Sequence, residues 1–446
     1  MNMLKHSCLY FTHTLKRCYS ALYITGKKAQ ETFAVLTPYI DFEERYNNKK
    51  NELIANIAAR NYPLDIHKVF DSWEFFQTVD DRRKKLEATR TELAQKISTL
   101  MKEYSKNEDE IKKLRLHAKL IKDDLKAMKE HYYEVEEQVM LKILDLPNVL
   151  HPKTPLKEET VICQYLEKPE SSSESHKDIA EKLGFLQYID KTSSFLKGEA
   201  SLFEQAILNY FRNCMIDSGF TVFCNPSFCR SVVAEGCADM ENVFTIAESE
   251  HSKENLNHLH LSGGATLLSF MAYFTKHTLL STQLPLKYFA VGKRYRNVDP
   301  EKTDDLFNLS QESSLNIFLA TADNELVDLD CVLKDVKGFY QKLGYHFRMV
   351  LLPANRIEKS ESLHVSIQMY SNHLNGYVEV GNISSYDSYL SKRLIFTYND
   401  QSSKDRAFPK IIAGTVLNVP KVLGCVLENS PDKNLLSDVL NKYLFH

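Results

Sequence analysis

Residues 111–139, IKKLRLHAKLIKDDLKAMKEHYYEVEEQV, decide the fold of the N-terminal part of the chain. Their apolar residues recur at spacings that alternate between three and four, and this stripe comprises Ile111, Leu114, Ala118, Ile121, Leu125, Met128, Tyr132, Val135 and Val139. That alternation is typical of a coiled coil, because a 3.5-residue repeat keeps one stripe turned toward a partner helix. An earlier run carries a second stripe at Leu86, Leu93, Ile97, Leu100 and Tyr104. Because the polar break between the runs is short, we expect two helices of roughly 35–45 Å that fold back as an antiparallel, projecting hairpin.

The composition allows two or three domains. The 446 residues are 43% hydrophobic and carry a formal charge of −3, which suffices for substantial cores but predicts no nucleic-acid binding from bulk charge alone. Any such binding would need a local basic surface. The chain has no apolar run near the 18 or so residues that a membrane span needs, so we expect no contact with a membrane.

The first 30 residues resemble a mitochondrial presequence. They contain five basic residues and hydroxyl residues, and the first acid is Glu31; this composition is typical of matrix targeting. The run Arg17-Cys-Tyr-Ser20 resembles a processing site with the cut after Tyr19, which would leave a net charge near −6. An ordinary basic terminus is the alternative. We therefore predict a presequence over 1–19 and localisation in the mitochondrial matrix.

The nine cysteines are irregularly spaced, as in proteins of reducing compartments. Four of them cluster in sequence, at Cys214, Cys224, Cys229 and Cys237, but without a Cys-x2-Cys pair or a His-x3-His partner. Buried free thiols are the better interpretation of this cluster, with a zinc site as the alternative. We predict no metal site and no cofactor.

The domain boundaries follow from changes in the predicted secondary structure along the chain. We predict short helices over 35–79 and a hairpin arm over about 80–140 that begins at Asp80-Asp81, within a helical domain over 20–150 that ends near Pro147. From 151 to 446 helical segments alternate with β-rich runs at 220–223, 287–291, 315–318, 347–352, 376–380 and 394–398. The fold class is therefore α+β, with an N-terminal helical arm and a mostly antiparallel sheet flanked by helices.

This order of parts resembles seryl-tRNA synthetase, a class II aminoacyl-tRNA synthetase, from about residue 35 to the C-terminus. DLPNVLHP at 145–152 is similar to the family's junction between arm and catalytic domain, and SHKDIAEKLG at 175–184 to the segment that follows. Lys197 to Pro226 resembles motif 1, the dimer interface of the family. The resemblance implies interface positions at Leu202, Ala206, Phe220 and Pro226.

The resemblance also implies which contacts of the active site are kept or changed. The family's Thr-x-Glu, which binds the serine ammonium, is replaced by Gly264 and Thr266. A neutral hydroxyl cannot replace a carboxylate opposite a desolvated ammonium. In motif 2, Arg296 keeps the place of the α-phosphate arginine, although it could equally be a structural ion-pair partner. Gln311 is kept, whereas Val298, Asn308, Ser310 and Asn316 replace an expected Glu, Arg, His and Glu.

Motif 3 shows the same mixture. Pro420 and Lys421 stand where the family has Gly-Arg, whose arginine holds the γ-phosphate, and lysine lacks the planar, bidentate fork of arginine. Glu379 keeps the place of a metal-binding glutamate. Three further positions, Ser385, Leu390 and Lys392, replace an expected Asn, Gln and Arg. We expect a vestigial nucleotide pocket at Arg296, Gln311, Glu379 and Lys421, and loss of catalysis, because several contacts worth about 2–3 kcal/mol each are missing together.

Three functions remain open at this point. The first is a non-catalytic interaction subunit, either a homodimer or a heterodimer with the active mitochondrial seryl-tRNA synthetase. The second is binding of tRNA or another mitochondrial RNA by the arm, where 15 Lys and Arg residues outnumber eight Asp and Glu residues between Arg82 and Lys129. The candidate contacts are Arg90, Lys112, Lys113, Arg115, Lys119, Lys122, Lys126 and Lys129; a solvated coiled-coil face is the plainer interpretation of these charges. The third is a divergent but active mitochondrial serine-tRNA ligase.

Overall fold

A computed structural model describes residues 20–26, 29, 35–102, 108–169, 174–188, 194–238, 240, 243–246, 258–298, 305–322, 325–399, 406–429 and 435–444. The predicted presequence, 1–19, and Tyr104 lie outside these residues. Eleven helices and sixteen strands are assigned in the described part of the chain. No helix within it is both long enough and apolar enough to cross a bilayer.

Three helices form the N-terminal part: α1 (Phe42–Arg60), α2 (Ile66–Lys102) and α3 (Glu108–Leu144). The predicted hairpin is confirmed, and α3 ends where Pro147 was expected to stop it. The predicted start at Asp80-Asp81 is wrong, because α2 begins at Ile66. Asp65 caps that end, since its Oδ1 accepts hydrogen bonds from the backbone N–H groups of His67 at 3.1 Å and Lys68 at 3.4 Å.

Contacts along the hairpin show that α2 and α3 are antiparallel. Lys142 Nζ donates to Ser72 Oγ at 2.8 Å near the base, and Tyr132 donates its hydroxyl to Asp80 at 3.0 Å farther out. Every described residue of the two apolar stripes is buried or half-buried, whereas Leu116 and Leu120, which lie off the stripes, are 59% and 56% exposed. The stripes therefore form the seam between the helices.

An eight-stranded sheet forms the centre of the second part, in the order β1-β11-β12-β13-β16-β10-β9-β4. Six of its seven strand pairs are antiparallel, and only the pair of β4 and β9 is parallel. The α+β class with an antiparallel-dominated sheet is therefore confirmed. The strands are β1 (Thr160–Tyr165), β4 (Thr221–Val222), β9 (Leu286–Tyr295), β10 (Gln311–Thr321), β11 (Phe347–Leu351), β12 (Leu363–Ser371), β13 (Gly376–Asp387) and β16 (Lys410–Asn418).

Shorter elements surround this sheet. The small strands are β2 (Leu186–Tyr188), β3 (Ser194–Leu196), β5 (Phe228–Arg230), β6 (Phe244–Thr245), β7 (Leu259–Leu261), β8 (Thr278–Leu280), β14 (Thr397–Asn399) and β15 (Arg406–Ala407). The helices are α4 (His176–Lys182), α5 (Glu199–Asp217), α6 (Ser231–Cys237), α7 (Leu267–Phe274), α8 (Glu325–Leu343), α9 (Tyr389–Leu394), α10 (Val419–Asn429) and α11 (Asp438–Asn441). The strand predicted at 394–398 is wrong in its first half, because Leu394 ends α9 and the strand starts only at Thr397.

The two faces of the sheet are covered by separate hydrophobic cores. One core contains α5, α8 and α10, and the other contains α6, α7 and α9. Ala206 and Phe220, predicted to lie in a dimer interface, are 0% and 4% exposed and pack inside the first core, so their side chains cannot form a surface for a partner. Leu202 and Pro226 are exposed. Of the four clustered cysteines, Cys214, Cys229 and Cys237 are buried free thiols, and Cys224 is an exposed free thiol.

A buried arginine joins the helical part to the sheet domain. Arg60, at the end of α1, is 5% exposed and donates to three backbone carbonyls, those of Asn148 at 3.1 Å, Glu358 at 3.0 Å and Glu361 at 2.5 Å. Burial lowers the pKa of its guanidinium to about 10. Asn148 of the predicted junction donates in turn to the carbonyls of Ser360 and Tyr386. The base of the arm is thus bound to the loop that borders the cleft described next.

Candidate functional site

A cleft of about 350 Å³ lies on one face of the central sheet. Alternation along the strands turns polar side chains into it: Arg294 from β9, Asn316 from β10, Thr415 from β16, and Lys421 from the first turn of α10. A register shift in the pairing of β12 with β13, between Ile367 and Gln368, interrupts the alternation in β13. As a result Glu379 and Asn382, three residues apart, both line the cleft.

The predicted phosphate arginine is already engaged inside the protein. Arg296 lines the cleft, and its Nη2 lies 3.2 Å from Oε1 of Glu312, whose side chain is 1% exposed. Arg296 also donates from Nε to the carbonyl of Leu309 at 3.4 Å. A buried carboxylate at this distance neutralises much of the positive potential that a phosphate would meet. The geometry therefore favours the ion-pair interpretation of Arg296 over the phosphate contact.

Lys421 is the cation of the cleft with the fewest contacts. Its ammonium makes no hydrogen bond or ion pair with any residue that the structure describes, although the backbone N–H donates to Asn418 at 3.3 Å. Burial lowers the pKa of the ammonium, and the charge of Glu312 opposes that effect. Arg294 instead donates to Thr415 Oγ1 at 3.2 Å, which also accepts from Asn316 Nδ2 at 3.2 Å.

The acidic side of the cleft is a cluster centred on a histidine, in which His364 and Glu361 are buried and Glu379 is half-buried. His364 lies 2.9 Å from Glu361 through Nδ1 and 3.2 Å from Glu379 through Nε2. Ser384 donates to Glu361 at 2.6 Å, and Ser366 donates to Glu379 at 2.5 Å. Glu379, the predicted metal-binding glutamate, is thus held by an imidazole and a hydroxyl of its own chain.

The pKa values of this cluster shift together. Burial alone would lower the pKa of His364, but the charges and hydrogen bonds of Glu361 and Glu379 outweigh it and raise that pKa well above 6.5. Burial alone would raise the pKa of both carboxyls, but His364 lowers it, to about 2 for Glu379. The cluster is therefore an imidazolium between two carboxylates near neutral pH.

We expect this cluster to make the stability of the protein depend on pH in a defined window. The carboxylate contribution is complete above about pH 4.5 and is lost as the pH falls toward 2; the His364 contribution is complete below pH 6.5 and is lost as the pH rises toward its folded pKa. The difference in unfolding free energy between wild type and His364→Gln should be largest between about pH 4.5 and 6.5. Chemical denaturation from pH 4 to pH 9 measures it, and a difference independent of pH would contradict the protonated state of His364.

The two positions predicted to have lost serine binding have other structural roles. Thr266 is the N-cap of α7: its hydroxyl accepts from the backbone N–H of Ser269 at 3.4 Å and donates to the carbonyl of Gly263 at 3.0 Å. A Cβ placed on Gly264 would lie 2.9 Å from the backbone oxygen of Asn225, too close for an unstrained side chain. Neither residue can offer a carboxylate or a free hydroxyl to an ammonium.

Four other predicted positions lie outside the cleft. Gln311 is exposed at the start of β10, and Leu390 is fully buried in the core around α9 and does not line the cleft. Ser385 donates to Glu325, and Lys392 forms an ion pair of 2.8 Å with Asp41 of the helical part. The structure instead adds residues that sequence reasoning missed, namely Arg294, Glu312, Glu361, His364, Asn382 and Thr415. Five of them lie on neighbouring strands and Glu361 lies in the loop before β12, and only this placement, which the sequence does not display, distinguishes them from other polar residues.

Comparisons with known proteins agree with this fold. The family model of the class II core domain of tRNA synthetases (G, H, P, S and T) matches residues 250–430. The Serine--tRNA synthetase-like protein Slimp of Drosophila melanogaster is 29% identical over 99% of this chain and 96% of its own length. The mitochondrial Serine--tRNA ligase of Mus musculus is 24% identical over 97% of this chain and 87% of its own length.

A solved structure resembles the whole arrangement of arm and sheet domain. The crystal structure of seryl-tRNA synthetase from Pyrococcus horikoshii, complexed with ATP, superposes with a TM-score of 0.78 at 16% identity, covering 91% of this chain and 98% of that one. At this identity the likeness shows the fold alone. Together with the family model and the relatives that match along almost the full chain, it shows that this chain has the class II synthetase fold, with a class II core domain at residues 250–430, and that its sequence is similar to seryl-tRNA synthetase-like proteins.

Proposed function

We propose that this chain is a non-catalytic seryl-tRNA synthetase-like subunit that acts in mitochondria through its surfaces. The ion pair between Arg296 and the buried Glu312 is the observation that carries the proposal. Amino-acid activation brings a carboxylate to the α-phosphate of ATP, so catalysis depends on unpaired positive charge at the phosphate. Here the arginine in that place is matched by an internal carboxylate. The mitochondrial location is supported by the predicted presequence and by the mitochondrial ligases among the relatives.

The remaining contacts of the cleft support the same conclusion. Glu361 and Glu379 add two ionised carboxylates that repel a nucleotide, and their charges are only partly balanced by His364. The ammonium of serine would meet the hydroxyl of Thr266, which already caps α7, instead of a carboxylate. Lys421 remains as a point charge without the fork of an arginine. Each deficit lowers transition-state stabilisation, and the deficits lie in different parts of the cleft.

The direct test is serine-dependent exchange of pyrophosphate into ATP. We expect no exchange above the blank without amino acid for the wild-type chain, with the mouse mitochondrial ligase assayed beside it as the active control. Each of the twenty amino acids is tested in turn. Clear serine-dependent exchange would contradict the proposal and establish the alternative, a divergent mitochondrial serine-tRNA ligase.

Glu312→Gln tests the ion pair itself. Because the substitution removes the carboxylate while keeping its shape, we expect affinity for ATP to rise at least about tenfold, equivalent to about 1.4 kcal/mol. Isothermal titration calorimetry measures the gain. Adding Arg296→Ala should abolish it, and Glu204→Gln, the same change beside Lys293 outside the cleft, should leave affinity unchanged. Equal affinity in the wild type and Glu312→Gln would show that the ion pair does not suppress nucleotide binding.

The proposed partner is the active mitochondrial seryl-tRNA synthetase, with a second copy of this chain as the other possible occupant of the surface. Segments around the motif 1 resemblance carry exposed apolar side chains: Phe195, Leu202, Val222 and Phe228 are 37–53% exposed. Exposed apolar side chains on segments close together in the sequence suit a protein interface.

We expect the tagged chain to co-purify from mitochondria with the active synthetase at a fixed 1:1 stoichiometry. Leu202→Arg should reduce the recovered synthetase at least about tenfold, since it places a charge in the apolar surface. Leu374→Arg, a matched change at an exposed leucine in the turn between β12 and β13, should not. Recovery of the chain only as a monomer or a homodimer would contradict the heterodimer.

RNA binding by the arm is a second proposed activity, favoured by a specific arrangement of charge. Six basic residues of α3 each follow a seam residue directly in sequence, at Lys112, Arg115, Lys119, Lys122, Lys126 and Lys129, and all six are exposed. They form one row of roughly 25 Å along the arm. Lys119, Lys122 and Lys126 make no ion pair with any residue in the described ranges. A row of uncompensated cations suits a phosphate backbone.

A further inference from the structure

The segment 20–26 runs from the sheet domain to the arm. Ala21 and Leu22 are 3% and 2% exposed and belong to the core around α6 and α7. Tyr23 belongs to the core of the helical part, and its hydroxyl donates to Glu136 of α3 at 3.2 Å. Thr25 donates to the carbonyl of Tyr133, the next turn of the same helix. A few residues thus connect the two parts of the molecule.

One carboxylate holds the beginning of this segment. Oε2 of Glu235, on α6, accepts three hydrogen bonds from consecutive residues: from Ser20 Oγ at 2.5 Å, from the backbone N–H of Ala21 at 2.9 Å and from that of Leu22 at 3.2 Å. Glu235 and Ser20 are half-buried. The first of these donors, Ser20, is the residue that directly follows the predicted processing site.

We infer that Glu235 is the binding site for the α-ammonium of a mature N-terminus at Ser20. A matrix processing endopeptidase would add water across the Tyr19–Ser20 peptide bond, so that Tyr19 leaves with a new carboxylate and Ser20 gains a free amine, which is protonated at neutral pH. That nitrogen is three covalent bonds from the Oγ that already contacts Glu235. Hydrolysis therefore creates a cation beside a carboxylate where an uncharged amide stood before.

The physical gain is the Coulomb attraction between the new ammonium and the Glu235 carboxylate, which an uncharged amide lacks. Capture of a terminal amine is a recognised binding mode. Processing would then fasten the segment 20–26 to the sheet domain and, through Tyr23 and Thr25, to the arm. The inference rests on the proposed mitochondrial location but not on the proposed loss of catalysis.

The processing site is tested by mapping the N-terminus of the protein. The full chain with a C-terminal tag is expressed in cells, recovered from mitochondria and analysed by intact mass and terminal peptide sequencing. Ser20 is the expected first residue. A chain that retains 1–19, or that begins beyond Ser20, would overturn the inference, whereas pyrophosphate exchange by the processed protein would affect only the proposed function.

The amine site is tested with purified chains that differ only at the terminus and at Glu235. One chain begins at Ser20, released from a fusion by a protease that leaves no added residue; the other carries three glycines before Ser20, and each is made with Glu235 and with Glu235→Gln. Hydrogen exchange of the amides of residues 21–26 should be at least about tenfold slower in the Ser20 chain than in the extended chain when Glu235 is present. With Glu235→Gln the two termini should exchange equally. Equal exchange of both termini in the presence of Glu235 would overturn the inference, even if the Gln variant failed to fold.

Discussion

Reversing the charge of Lys119, Lys122 and Lys126 to glutamate is expected to weaken binding of serine tRNA at least about a hundredfold near physiological salt. These lysines occupy the centre of the exposed row on α3. Each reversal removes a phosphate contact, and with it the release of a counterion, and adds a charge that repels the RNA. The loss of affinity therefore increases with each reversed lysine. Filter binding or fluorescence anisotropy with a tRNA transcript measures the affinity.

The salt dependence of binding gives an independent measure of the same contacts. Each phosphate contact lowers the logarithm of affinity by about 0.7–0.9 per decade of salt, so three lost contacts should flatten the slope by about 2–3. The change in this salt slope distinguishes a lysine row that binds phosphates from a solvated helix face. Reversing lysines that contact no phosphate would leave the slope unchanged. Binding that ignored salt in the wild type would already contradict the proposal.

The matched control reverses three exposed lysines of the sheet domain, Lys157, Lys334 and Lys442, which changes net charge by the same amount. We expect affinity to fall less than about threefold, because charges more than a Debye length from the arm are screened. Equal losses in both triple variants would show that net charge, rather than the row, governs binding. Far-UV circular dichroism of each variant checks that the hairpin remains helical.

The arm could be predicted from the sequence because its signals are local. The 3–4 spacing that ends at Val139 and the helix stop before Pro147 both act over a few residues, and the structure confirms both. The error at the start of α2 came from reading Asp80 as a helix start. Asp80 instead lies within α2 and bonds Tyr132 across the seam, while the true cap is Asp65.

The cleft could be predicted only in part, because its decisive contacts join distant residues. Arg296 was predicted to lie in the nucleotide pocket and lines the cleft, but its partner Glu312 has no local sequence signal, because the pairing follows from the register of β9 against β10. His364 lies on β12, a strand that the sequence analysis did not identify. Substituted motif positions thus predicted where contacts of the family are absent, whereas the contacts that this chain makes there could be recognised only in three dimensions.

The new contacts also explain how the fold tolerates the altered motifs. A cleft that keeps cations without a bound anion must balance them within the protein, and Glu312 does this for Arg296. His364 partly balances Glu361 and Glu379 in the same way. These internal contacts reduce the net positive charge that a bound anion would otherwise have to neutralise. This accounts for an altered site within an intact sheet.

Gly414→Ala is expected to lower the free energy of unfolding of the sheet domain by at least about 3 kcal/mol. Gly414 lies in β16, between β13 and β10, at the floor of the cleft. A Cβ at this position would lie 2.1 Å from the backbone oxygen of Asn382. Side-chain rotation cannot relieve this overlap, because both groups belong to paired central strands; the strands must separate and lose hydrogen bonds.

Gly338→Ala is expected to have the opposite effect on the stability of the same domain. Gly338 lies inside α8, and a Cβ there meets no atom within 4 Å, so alanine should raise stability by up to about 1 kcal/mol through its higher helix propensity. Urea unfolding followed by far-UV circular dichroism compares both variants with wild type. The single tryptophan, Trp73, lies in the core of the helical part, so its fluorescence reports that part separately. If Gly414→Ala unfolded at the same urea concentration as wild type, the close approach of β13 and β16 at this position would be wrong, and the floor of the cleft would have room for a side chain.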